Sequence, residues 1–262
     1  MRQEKRHVRG AWALAAALGV AGGAALPAVA MAGPAATIYS PIVDYREWEL
    51  ELKAGIQDWN QPDGERAAKL AIGYGVMPRW GREVEAEYSQ TPGGAGRVED
   101  YEFENIFQLT EHGEHWLDAG IFAELEHNRL ENVNKLVLGP MFQRETQHTQ
   151  SNVNVYWERR LRARPDGANH NGDVREPRNE LAYQVQWKYN LDPHFQPGLQ
   201  AFGSLGDPAH LHSAELKIGP AFFGDANLGN AKGLHYDAAI LAGVTRGAPG
   251  MTIRFQLEYE FF

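Results

Sequence analysis

The chain has 262 residues, 43% of them hydrophobic, with 28 Gly, no Cys and a formal net charge of -9 at pH 7. The absence of Cys excludes a disulfide framework and thiol chemistry. The acid excess excludes nucleic acid as a natural partner, because phosphate contacts need patches of Lys and Arg.

The amino terminus reads as a segment apart. Arg2, Lys5, Arg6 and Arg9 form a basic start, an apolar run follows from Ala11 to Val29, and Ala30-Met31-Ala32 supplies a small-x-small cleavage site. That order is a secretory signal peptide, assigned to residues 1–32 and cleaved near Ala32. An uncleaved anchor is the alternative, opposed by Gly22, Gly23 and Pro27 inside the run. Loss of these residues takes the net charge from -9 to about -12. Residues 33–45 follow as an extended periplasmic leader, with Pro34 and Pro41 opposing regular structure. No later run reaches the ~20 apolar residues of a transmembrane helix.

From residue 46 onward the chain alternates. Trp48, Leu50, Leu52 and Ile56 share one face, and Glu47, Glu49, Glu51 and Lys53 share the other. Leu70, Ile72 and Tyr74 alternate with Lys69 and two glycines; Val84, Ala86 and Tyr88 alternate with Glu83, Glu85 and Glu87. Tyr101, Phe103 and Phe107 lie opposite Glu102 and Glu104, and Ile121, Ala123 and Leu125 opposite Glu124 and Glu126. Leu136 and Leu138 oppose Lys135; Val155 and Trp157 oppose Glu158 and Arg160; Val185 and Trp187 oppose Lys188. Phe195 and Leu199, then Leu216 and Ile218 against Lys217, then Tyr236, Ile240 and Val244 continue the pattern. A period of two marks half-buried strands, and about twelve are counted with no convincing helix. Pro78-Arg79 and Glu111–Gly113 read as short turns, Thr91–Arg97 and Arg164–Arg178 as long loops. Phe223–Lys232 looks too long for a short-side turn. Leu138-Gly139-Pro140 and Ile218-Gly219-Pro220 suggest matching kinks.

The last strand carries the most specific signal. Ile253, Phe255, Leu257, Tyr259 and Phe261 alternate with Arg254, Gln256, Glu258 and Glu260, and Phe262 ends the chain one step out of phase. Here the sequence resembles the outer-membrane β-barrels of Gram-negative bacteria, whose closing strand typically ends in an aromatic residue. The resemblance implies an all-β fold: a single antiparallel up-and-down transmembrane barrel over 46–262, with both ends periplasmic. It also implies outer-membrane lipid around the barrel and barrel-assembly machinery that reads Phe255, Leu257, Tyr259, Phe261 and Phe262. Within such barrels the chain is similar to the group named for the MetA pathway of phenol degradation, which implies a channel for small solutes, aromatic ones among them. On this topology Trp80, Tyr189, Phe195, Phe222 and Phe261 form a periplasmic aromatic girdle.

The charged faces then become lumen faces. Glu47, Glu49, Glu51, Glu83, Glu85, Glu87, Glu102, Glu104, Glu124 and Glu126 form an acidic wall, and Lys53, Lys69, Lys135, Arg160, Lys188, Lys217 and Arg254 supply the basic groups. One reading is a narrow, cation-preferring pore or small-solute channel. The other is a non-conducting barrel plugged by ion pairs, with a structural or surface-interaction role centred on Arg164–Arg178. A lipid hydrolase is a third reading, for which His212-Ser213 is the one adjacent pair, and neighbours on a strand cannot form that dyad. Glu111–His115 and His210-Leu211-His212 offer too few ligands for a closed metal site. No cofactor fingerprint is present.

Overall fold

A computed structural model describes residues 30–58, 61, 64–90, 94–130, 132–161, 179–229 and 233–261. Most of the expected signal peptide, the loop Arg164–Arg178 and Phe262 therefore lie outside the described residues. The strands are β1 (Trp48–Gln57), β2 (Glu65–Met77), β3 (Trp80–Gln90), β4 (Arg97–Gln108), β5 (Asp118–Asn128) and β6 (Val133–Glu145), followed by β7 (Thr149–Arg160), β8 (Asn179–Tyr189), β9 (Gln196–Ser204), β10 (Glu215–Asn227), β11 (Gly233–Gly243) and β12 (Met251–Phe261). Each pairs antiparallel with its sequence neighbours, and β12 pairs with β1, so the sheet closes into a twelve-stranded barrel. Ten residue pairs, from Trp48–Phe261 to Gln57–Thr252, make that seam.

The distribution of polarity is the inverse of a water-soluble protein. Leu70 and Ile72 are 57% and 46% exposed on the outer face, whereas Lys53 and Glu85 are 1% exposed inside. A continuous apolar exterior is favourable in hydrocarbon and costly in water. A closed ladder also leaves no backbone group unpaired at an edge, the condition for crossing a bilayer with strands. Strands of 9 to 13 residues match the ~9–11 that a tilted span needs.

One rim carries the two-residue Pro78–Arg79 turn and the three-residue β6–β7 turn, and β1 starts and β12 ends there. The same rim carries the aromatic residues. Trp48 packs on Tyr74 (4.6 Å between ring centroids), Trp80 on Phe107 (6.2 Å), Phe195 on Phe222 (6.3 Å) and Tyr259 on Phe261 (5.6 Å). The segment Phe223–Lys232 is shorter as a turn than its composition suggests, because β10 runs on to Asn227. Gly139-Pro140 and Gly219-Pro220 are matching irregularities: the β6–β7 and β10–β11 registers both skip them. Proline lacks the N–H that one side of each ladder requires.

Two features depart from a simple polar interior. Phe122, Val137, Met141, Tyr156, Phe202 and Leu241 point inward and are fully buried, so the lumen wall has an apolar patch among its polar residues. The leader 33–45, expected on the periplasmic side, instead runs inside the barrel. It descends from Pro34, beside Gly55 near the far end of β1, to Asp44, beside Gly75 at the aromatic rim.

Candidate functional site: the lumen and its leader

The acidic wall is built by the pleat. Inward residues of β1 to β5 recur every second position, and the register sets like charges directly opposite one another. Lys53 faces Lys69, Glu83 faces Glu104, Glu85 faces Glu102, and Glu104 faces Glu124. Opposed like charges destabilise a sheet, and the diagonal contacts relieve them. Lys53 Nζ lies 2.9 Å from carboxylate oxygens of Glu51, Glu83 and Glu85. Lys69 Nζ contacts Glu85 (2.7 Å), Glu87 (3.3 Å) and Glu102 (2.9 Å). Lys135 pairs with Glu126 and lies 3.8 Å from Glu158. Seven carboxylates thus share three ammonium groups, and among the described residues Glu104 and Glu124 have no cationic side chain in ion-pair contact.

The other sequence-predicted residues divide. Glu47 is buried at the start of β1, and Glu49 is half-buried beside it. Lys188 sits 5.7 Å over the Phe223 ring, Lys217 donates to the Ala32 carbonyl, and Arg254 pairs with Asp237 and donates to Gln200 Oε1 (2.7 Å). Arg160 is half-buried at the end of β7, opposite Lys135. Lys53, Lys69 and Lys135 stand among the carboxylates of the acidic wall. In the closing strand, Phe255 and Leu257 face outward and are exposed.

Sequence reasoning missed the leader as a lumen component. Thr37 Oγ1 donates to Gln256, Tyr39 Oη to Glu104 Oε1 (2.7 Å) and Ser40 Oγ to Gln143 Oε1 (3.0 Å). The wall answers with Asn154 to the Tyr39 carbonyl (3.0 Å), Gln184 to the Met31 carbonyl (2.8 Å) and Lys217 to the Ala32 carbonyl. These partners come from six strands, β4, β6, β7, β8, β10 and β12. The Tyr39 ring packs on Phe122 at 4.7 Å. The close approach depends on inward glycines. A Cβ at Gly55 would fall 1.8 Å from the Pro34 carbonyl oxygen, and one at Gly75 would fall 1.9 Å from that of Asp44. Gly55→Val is therefore expected to lift the leader off β1. Limited chymotrypsin digestion of the folded protein should then cut after Tyr39, and unchanged protection would mean that the wall yields instead.

At the aromatic rim a vestibule opens beside the leader, lined in part by Tyr39, Val43, Glu49, Glu51, Glu83 and Glu104. Nearby, His235 is held on both sides, by Asp225 (2.6 Å) and Glu260 (2.9 Å).

The remaining histidine motifs are local. His112 Nδ1 lies 3.0 Å from Asp118 in the β4–β5 connection. His210 and His212, expected on one strand face, lie in the loop between β9 and β10. The His212 ring pairs with the His210 carbonyl (3.1 Å) rather than with Ser213.

This architecture recurs among solved structures. The NanC porin superposes with a TM-score of 0.54 at 12% identity, covering 81% of this chain and 99% of that one. The KdgM porin, in complex with disordered oligogalacturonate, gives 0.52 at 8% identity, covering 82% and 98%. An outer membrane channel from Pseudomonas putida F1 gives 0.60 at 11% identity, covering 83% and 96%. The likeness is one of fold. No family model matches the chain, and no curated protein matches it.

Proposed function

We propose that the chain is an outer-membrane channel for small solutes that prefers cations, with an acid-rich wall and a lumen narrowed by its own leader. The observation that carries this reading is the excess of buried carboxylate over ammonium on β1 to β5. Fixed negative charge inside a low-dielectric wall concentrates cations and repels anions. The apolar exterior supports a position in the membrane, and the fold likeness to porins supports conduction. Export with cleavage near Ala32 would start the mature chain inside the lumen. The closing strand would be what the assembly machinery reads, and outer-membrane lipid would surround the barrel. The mixed charged and aromatic vestibule suits small polar or aromatic solutes, in keeping with the phenol-degradation group that the sequence resembles.

The test is planar-bilayer recording of the purified, refolded protein. Single-channel steps are expected, and their absence both with and without residues 33–45 would discard the channel. Glu85 is held by two lysines and lies outside the rim pocket, so selectivity falls to the carboxylates that line it, Glu49 and the pair Glu51 and Glu83 that share Lys53. Replacing all three with Gln should lower the cation-to-anion permeability ratio by about tenfold; an unchanged reversal potential would take them off the path.

A second reading, a barrel held shut with a structural or surface-interaction role, is favoured by the leader's hydrogen bonds to five strands, β4, β6, β7, β10 and β12. The leader deletion separates the two.

A further inference from the structure

The like-charged pair Glu104–Glu124, directly opposed across β4 and β5, has no lysine in contact. Glu104 is 1% and Glu124 3% exposed. Glu104 Oε1 accepts from Tyr39, but Glu104 Oε2 and Glu124 Oε1 are buried without any hydrogen-bond partner. Leaving a charge buried and unpaired costs several kcal/mol, so the pair calls for a counter-cation or a proton. Ligand oxygens of Glu102, Glu104 and Glu124 all lie within 4.8 Å of one another. The point equidistant from three oxygens 4.8 Å apart lies about 2.8 Å from each, so shifts of a few tenths of an ångström bring all three to the ~2.4 Å of a Ca²⁺–oxygen bond.

An independent observation points to the same place. Tyr156 is fully buried, and its hydroxyl makes no hydrogen bond of ordinary geometry. The charged groups acting on it are Glu104 and Glu124, and the Asn154 side chain stands beside it. Between the leader and this wall lies a small cavity lined by Tyr39, Lys53, Lys69, Glu102 and Glu124 among others. It has room for about one water-sized sphere, which is also the size of one dehydrated ion.

We propose that Glu102, Glu104 and Glu124 form a Ca²⁺ site in the lumen wall, beneath Tyr39 of the leader. Ca²⁺ suits the donor set better than Mg²⁺. It accepts six to eight oxygens in irregular geometry, including bidentate carboxylates, whereas Mg²⁺ demands a near-ideal octahedron and holds its waters. Lys69 engages Glu102 through both oxygens at 2.9 Å, and each oxygen keeps a second lone pair for the ion.

The experiment is equilibrium dialysis of the refolded, chelator-stripped protein in detergent against Ca²⁺. About one Ca²⁺ per chain is expected, with affinity weakened at least about tenfold in Glu124→Gln, since ligand charge sets the affinity of such sites. Glu258→Gln removes a carboxylate from the separate acidic cluster at the aromatic rim and should bind as the parent does. Ca²⁺ should also raise the thermal midpoint of the parent and not of Glu124→Gln. Glu124→Gln removes a like-charge opposition and is expected to fold; Glu104→Gln serves as the second variant. Absence of bound Ca²⁺ in the parent, or unchanged affinity in both wall variants, would overturn the proposal and assign the counter-charge to protons. The readout is binding, so it does not depend on whether the lumen conducts.

Discussion

Deleting residues 33–45 should raise single-channel conductance at least about fivefold. An extended chain takes up a cross-section on the order of 50 Å², from its ~4.8 Å by ~10 Å packing distances. The gap left between leader and wall near Thr37 and Tyr39 admits about one water-sized sphere, on the order of 10 Å² across. Deletion frees the larger area at the level where Glu102, Glu104 and Glu124 face inward. The barrel itself should survive, because its ladder closes through β1 and β12 without the leader. Paired recordings of the parent and deleted chains check this. Equal conductance would mean that ions bypass the leader or that the inward apolar residues collapse into its place.

The second large effect is on stability. Lys53 is 1% exposed and serves three carboxylates at 2.9 Å. Lys53→Met keeps roughly the volume and removes the charge, leaving Glu51 and Glu83 without a cation and Glu85 with Lys69 alone. Breaking a buried ion pair from one side costs about 3–5 kcal/mol. The urea midpoint of the folded barrel in lipid vesicles should fall accordingly. Adding Glu83→Gln and Glu85→Gln should recover part of the loss, because neighbours in one network are not additive. Glu85→Gln alone should cost less, since Lys53 keeps Glu51 and Glu83. A Lys53→Met barrel as stable as its parent would mean that the wall is already discharged by protons.

The two predictions draw on parts of the molecule that differ in how legible they were. The strands could be read from the chain because two solvents impose a period of two. Trp48 to Ile56 and Ile253 to Phe261 carry that period without interruption, and the barrel closes along them. The wall carboxylates followed from the same parity. The leader could not be read so, because Pro34, Ala35, Ala36 and Pro41 have no periodicity and small side chains suit many surroundings. Its trace lies in the wall, where Gly55, Gly75 and Gly120 occupy inward positions and each has the leader within 3 Å of where its Cβ would stand. A glycine inside a strand marks close approach of another backbone, but it does not say which backbone. The inward Phe122, Tyr156 and Phe202 were hidden for a related reason. Each falls on the parity assigned to water; Phe122 packs on Tyr39 of the leader and on Tyr156, and Phe202 lies beneath Lys217 and Arg254.

The contact between Thr37 and Gln256 joins residues 219 positions apart. The leader emerges from the ribosome early, yet one of its anchors belongs to the final strand. That anchor therefore cannot form before the seam is complete. A chain truncated before residue 256 would keep the leader's contacts to β4, β6 and β7 and lose its hold on the closing strand.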